Sequence, residues 1–106
     1  RTLYLARPTR ARCRQACFYY NDLQVELIEP DKEPSVWRQA LDEKGEGIHH
    51  IAFQIENMEE TIRLGESLGM KLLHRGRGNG GHYAYLDASS TLHCVVELLE
   101  NGDFDL

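Results

Sequence analysis

"GEGIHHIAFQIEN" (residues 45–57) sets two adjacent histidines ahead of an apolar run, and its reading decides how the rest of the chain is organised. Ile48 to Ile55 is rich in β-branched and aromatic residues and follows a glycine-flanked turn, which predicts a strand. Successive side chains of a strand point to opposite faces. One face then carries His49, Ile51, Phe53 and Ile55, an apolar packing surface. The other carries Ile48, His50, Ala52 and Gln54, which suits the wall of a cavity, so His50 is the histidine expected to work there.

Downstream, "NMEETIRLGESLGM" predicts a helix, with Asn57 as N-cap, Glu60 in a capping-box-like position and Gly69 at its end. Met58, Ile62, Gly65 and Leu68 form its buried stripe, the glycine allowing close approach to a sheet. Strands over 71–75, 82–87 and 92–99 complete a β-α-β-β-β order from residue 48 onward. Upstream, strands are expected over 2–6, 11–20 and 23–29. A short helix follows, with Ser35 as N-cap, Gly45 just past its end, and Val36, Trp37, Ala40 and Leu41 on one side. "VELIE" at 25–29 returns as "VELLE" at 96–100, each closing a run of three strands. The echo predicts a tandem repeat whose counterpart of His50 lies upstream of Arg1. Residues 1–30 are then the last three strands of a first module, 31–47 a linking helix, and 48–100 a complete second module. Together, 1–106 make a single domain.

The chain of 106 residues is long enough for its own core, is 42% hydrophobic and 27% charged, and carries a net charge of −5, which gives no support to nucleic-acid binding. Its charge is uneven, since Arg1, Arg7, Arg10, Arg12 and Arg14 all precede the first acidic residue, Asp22. This start reads either as a solvated strand pair or as a basic lip, with Arg12 and Arg14 receiving an anionic small molecule such as a carboxylate or an acyl-CoA. Cys13, Cys17 and Cys94 are odd in number and form no CxxC pair, as expected of a reducing cytoplasm. No apolar stretch reaches membrane-spanning length, so no membrane association is expected. "GRGNGG" (76–81) reads as a flexible hairpin loop, and His74, His82 and His93 as surface or rim residues.

Glu26 and Glu97 each interrupt a strand that otherwise looks buried, and an unpaired buried carboxylate is costly. Each therefore needs a cation, a proton or a water-filled cavity. With His50 they make one imidazole and two carboxylates, a donor set suited to a divalent metal with positions open for substrate. Taken singly, each is equally a strand residue reaching solvent.

"VELIEP", "PSVWRQALDEKGEGIHHIAFQIENMEE" and "GHYAYLDASSTLHCVVELLE" closely resemble the vicinal oxygen chelate superfamily, in its glyoxalase I and methylmalonyl-CoA epimerase-like branch. The resemblance covers about residues 20–100. It implies an α+β fold of paired βαβββ modules whose sheet curls around a cleft, with the first strand and helix of module one absent from this chain. It also implies Glu26, His50 and Glu97 as ligands of a divalent ion (Zn, Ni, Co, Mn or Fe), with a fourth ligand upstream of Arg1. The implied activity is that of an epimerase, isomerase or glyoxalase-type lyase stabilising an enolate, with Glu26 or Glu97 also moving protons. Gln15 lies in about the strand where epimerases carry their base, but an amide is no base, so it is expected only to touch substrate. The alternatives are a non-catalytic binder like the bleomycin-resistance proteins and an extradiol-type dioxygenase. Seven expected strands of eight leave an open sheet edge, which predicts a homodimer.

Overall fold

The computed structural model describes residues 2–78 and 80–101. Ten elements run in the order β1 (Leu3–Tyr4), β2 (Arg7–Pro8), β3 (Cys13–Tyr20), β4 (Leu23–Pro30), α1 (Val36–Lys44), β5 (His50–Gln54), α2 (Met58–Ser67), β6 (Lys71–Gly78), β7 (Gly81–Ala88) and β8 (Cys94–Glu100). The fold is α+β. Six strands form one sheet in the order β2-β1-β6-β7-β8-β5, while β3 and β4 pair as a separate hairpin.

From β5 onward the order is the expected β-α-β-β-β, with β5 lying parallel to β8 at the sheet edge. Helix α2 begins where Asn57 Oδ1 accepts from the Glu60 backbone N–H at 3.2 Å, and it ends at Gly69, whose φ of 89° suits only glycine well. It lays Met58 and Ile62 against Ala84, Leu86, Ala88, Val96 and Leu98, the larger core cluster. Gly65 makes that approach possible, since a Cβ there would fall 2.6 Å from Leu86 Cδ1.

The opposite face of the sheet holds a smaller, aromatic cluster. Ser35 caps α1 by accepting from the Arg38 N–H at 2.9 Å, and the helix then buries Val36 and Trp37 against Tyr85. Cys13 of β3 and Ile28 of β4 pack against the same group, so this cluster is where the hairpin meets the sheet.

Several expectations need correction. The expected strand over 2–6 is only Leu3–Tyr4, because Leu5 and Ala6, with φ values of 52° and 65°, turn the chain back to pair Arg7–Pro8 with it. β1 pairs with β6, extending the sheet of the second module. The register of β6 slips between Leu72 and His74 at a β-bulge, which re-aims the strand. His74 therefore points inward and is 1% exposed, not on the rim. β6 and β7 run on to pair Gly78 with Gly81, so "GRGNGG" is mostly strand and not a long loop. His93, which precedes β8 with φ 62°, is exposed, as expected. Ile51 and Phe53 are about half exposed, because β5 is the edge strand and α2 covers β7 and β8. Among the described residues no helix is long and apolar enough to cross a membrane.

Candidate active site

Three strands from the two sheets bring their polar side chains to one place. On β5, His50 pairs with Val95 and Ala52 with Glu97, so His50 and Glu97 sit on the same face as diagonal neighbours, with the small Ala52 beside them. His50 Nε2 lies 3.1 Å from Glu97 Oε1. Glu26 reaches the same nitrogen from β4 of the hairpin, with Oε1 at 3.8 Å. The side chains of His50 and Glu97 are 9% and 11% exposed, whereas that of Glu26 is 25% exposed and is the accessible member of the trio. The two halves of the "VEL" echo thus deliver equivalent carboxylates to one imidazole.

Behind the trio stands Tyr85 of β7, directly across from Glu97. Its ring meets that of His50 edge-on at 5.1 Å, and its hydroxyl accepts from Trp37 Nε1–H at 3.1 Å. Burial and the nearby Glu97 charge push the Tyr85 phenol far above its ordinary value, so it remains a neutral hydroxyl. Tyr83, His74 and Tyr4 continue the aromatic wall away from the site. Cys17, opposite Glu26 on β3, places Sγ 3.6 Å from Glu26 Oε2.

His49 departs from the expected alternation. His49 lies one residue before β5, and its ring turns to the side of His50 and Tyr85. Its Nδ1 lies 2.8 Å from Nδ1 of His50, and its ring packs on both His50 and Tyr85. Burial first, then the neighbouring His50, lowers its pKa to about 4, with the Val36 backbone opposing the shift. His49 is therefore neutral near pH 7.

The chemistry of the donors fits a divalent cation. Donor atoms sharing one cation at bond lengths of about 2.1 Å stand roughly 3 to 3.5 Å apart. The His50–Glu97 separation of 3.1 Å lies in this range, and the 3.8 Å to Glu26 lies beyond it. Among the described residues, no group of three or more His, Cys, Asp or Glu side chains is arranged so that it could hold a metal ion as it stands. The trio matches a cation site in donor type, not yet in geometry.

Of the other residues expected at the site, the arginines lie elsewhere and Gln15 lies on the Glu26 face. Arg14 pairs across the hairpin with Glu29, on the face of β3 opposite to Cys17 and Glu26, where its guanidinium forms an exposed ion pair with that carboxylate. Arg12 is exposed and is tied to Asp31 through its backbone N–H at 3.1 Å. Gln15, opposite Ile28, shares the Glu26 face and is exposed. Arg7 and Arg10 line a separate cavity of about 470 Å³, together with Tyr4, Thr9 and Glu33. Tyr85, Trp37 and His49 were not anticipated as parts of the site. The alternation in "GHYAYLDA" puts Tyr83 and Tyr85 on the Glu97 side of the sheet, and is the signal that could have found them.

Comparison with known proteins identifies the family and the fold. The sequence model of the Glyoxalase/Bleomycin resistance protein/Dioxygenase superfamily matches residues 4–86. The protein YqjC of Bacillus subtilis (strain 168) is 33% identical over 92 residues, which are 83% of this chain and 66% of YqjC. The chain thus spans just under two thirds of that relative's length. A hypothetical protein of Bacillus halodurans C-125 superposes with a TM-score of 0.68 at 26% identity, over 89% of this chain and 70% of that one. A methylmalonyl-CoA epimerase of Streptomyces coelicolor in complex with 2-nitronate-propionyl-CoA does so with a TM-score of 0.66 at 26% identity, over 85% of this chain and 71% of its own.

Proposed function

The chain belongs to the Glyoxalase/Bleomycin resistance protein/Dioxygenase superfamily, and on that premise we propose that Glu26, His50 and Glu97 hold a divalent cation for isomerase-type chemistry on an oxygen-bearing, anionic small molecule. The observation that carries this reading is the meeting of two carboxylates, from different sheets, at Nε2 of one buried imidazole. When bound, the cation supplies Lewis acidity, stabilising negative charge on a substrate oxygen as an enolate forms.

The protein's own groups supply the rest. Glu97, held between Tyr85 and Ala52 on neighbouring strands, is the fixed donor. Glu26 is the more exposed carboxylate and stands farther from His50, so it is the one free to move a proton at a substrate carbon. Tyr85 and Trp37, both buried and hydrogen-bonded to each other, form a rigid wall that excludes water from behind the site. Gln15, which shares the Glu26 face, is the residue of β3 we assign to substrate contact. A dioxygenase site of the common non-haem type uses two histidines and one carboxylate, the reverse of this set.

A non-catalytic binder is the second reading, favoured by the matched superfamily, whose description includes bleomycin resistance proteins. Proton exchange separates the two. Methylmalonyl-CoA, used as a probe carbon acid with Co²⁺ in D₂O, should take up deuterium at its α-carbon, and Glu26→Gln should slow this by orders of magnitude. A protein that binds the probe tightly, with no deuterium uptake and no response to chelators, is the binder.

A further inference from the structure

We propose that His49 is the positioning residue for His50, holding its ring by a hydrogen bond between the two Nδ1 atoms so that Nε2 alone faces Glu26 and Glu97. The inference rests on the reading of His50 as a cation ligand, and adds a residue that neither the repeat nor the donor set requires.

The two nitrogens lie 2.8 Å apart, so one ring must donate and the other accept. A cation at His50 Nε2 takes that atom's lone pair. The proton of a neutral His50 ring must then sit on Nδ1, and His49 Nδ1 is the acceptor in place. Such outer partners fix the tautomer and orientation of a ligating histidine.

His49 is itself held from several directions. Its carbonyl accepts from the Val95 N–H at 3.1 Å, which anchors its backbone to β8 just before β5 begins. Its ring lies between those of His50 and Tyr85, at centroid distances of 5.1 and 5.8 Å. Its Nε2 is buried near the Val36 backbone, and the 2.8 Å bond to His50 is the contact its Nδ1 makes. Without it, His50 could turn by half a rotation about Cβ–Cγ, carrying Nε2 away from Glu97. A side chain on the opposite face of the strand could not do this. The late start of β5 is what allows two neighbouring histidines to share one side.

The test uses ¹⁵N-labelled protein and two variants, His49→Asn, whose amide oxygen can take the place of Nδ1 as acceptor, and His49→Leu, which has none. In the parent, a through-hydrogen-bond ¹⁵N–¹⁵N coupling should join the two Nδ1 nuclei. With Zn²⁺ bound, His50 should show the Nδ1–H tautomer. Zn²⁺ affinity should fall about 10- to 100-fold in His49→Leu and recover to within a few-fold of the parent in His49→Asn. Equal loss in both variants, or loss in neither, overturns the proposal. Should the parent bind no Zn²⁺, the cation reading fails, and the coupling in the metal-free protein decides the positioning alone: its presence upholds the hydrogen bond, its absence removes it.

Discussion

His74 makes the fold acid-sensitive. Its side chain is 1% exposed, packed among Tyr4, Trp37, Tyr83 and Tyr85, and its Nδ1 has no hydrogen-bond partner. Burial lowers its pKa from 6.5 to about 4. Between those values the unfolded chain binds a proton at this ring that the folded chain refuses, so stability falls as pH drops through the window. A gap of this size corresponds to about 3 kcal/mol, fully present above pH 6.5 and lost by about pH 4. Replacing the ring with leucine, of similar volume, removes the titration. At pH 7 His74→Leu should stay within roughly 1 kcal/mol of the parent, because Nδ1 makes no bond to lose and the Tyr83 contact is long, at 3.3 Å. Urea unfolding at pH 7, 5.5 and 4.5, followed by Trp37 fluorescence and circular dichroism, measures both effects. The parent should lose stability steeply over this range and His74→Leu distinctly less. Identical pH slopes in the two proteins would refute the reasoning.

Tyr85→Phe leaves the indole N–H of the buried Trp37 without its acceptor, so a loss of about 1 to 3 kcal/mol and a shifted Trp37 emission are expected; an unchanged unfolding midpoint would contradict this. Gly65→Ala gains about 1 kcal/mol of helix propensity but drives its Cβ to 2.6 Å from the buried Leu86 Cδ1. Overpacking of about 1 to 3 kcal/mol should outweigh the gain and be relieved by adding Leu86→Val, whereas a stabilised Gly65→Ala would show that the helix simply shifts. Arg14→Gln should leave divalent-cation affinity unchanged in a calorimetric titration, because Arg14 lies on the face away from Glu26; a several-fold loss would mean the hairpin face is wrongly assigned.

The parts of this protein that were legible in its sequence depend on regular periods. The 3.6-residue stripe of α2, the caps at Asn57 and Ser35, and the "VEL" echo all describe elements whose geometry is uniform along their length. Strand alternation put His50 and Glu97 each on the polar side of its own strand, and the structure sets those two strands side by side. What escaped lies where a period breaks. The bulge before His74 moves it from rim to core, and no local residue pattern announces it. His49 was assigned to the wrong side because alternation holds only within the paired strand, which starts one residue later. Arg14 is a matter of parity: a run of arginines on a strand spends half its members on the face away from the site. The pairing of β1 with β6 joins residues some seventy positions apart, a contact that no local pattern encodes.

The central claim is that Glu26, His50 and Glu97 act together as a cation site, and calorimetric titration with Co²⁺ tests it most directly. The account predicts one Co²⁺ per chain in the parent, and a loss of binding in both His50→Ala and Glu97→Gln with the circular dichroism of each variant unchanged. Binding that persists undiminished in either variant, or its absence from a correctly folded parent, would contradict it.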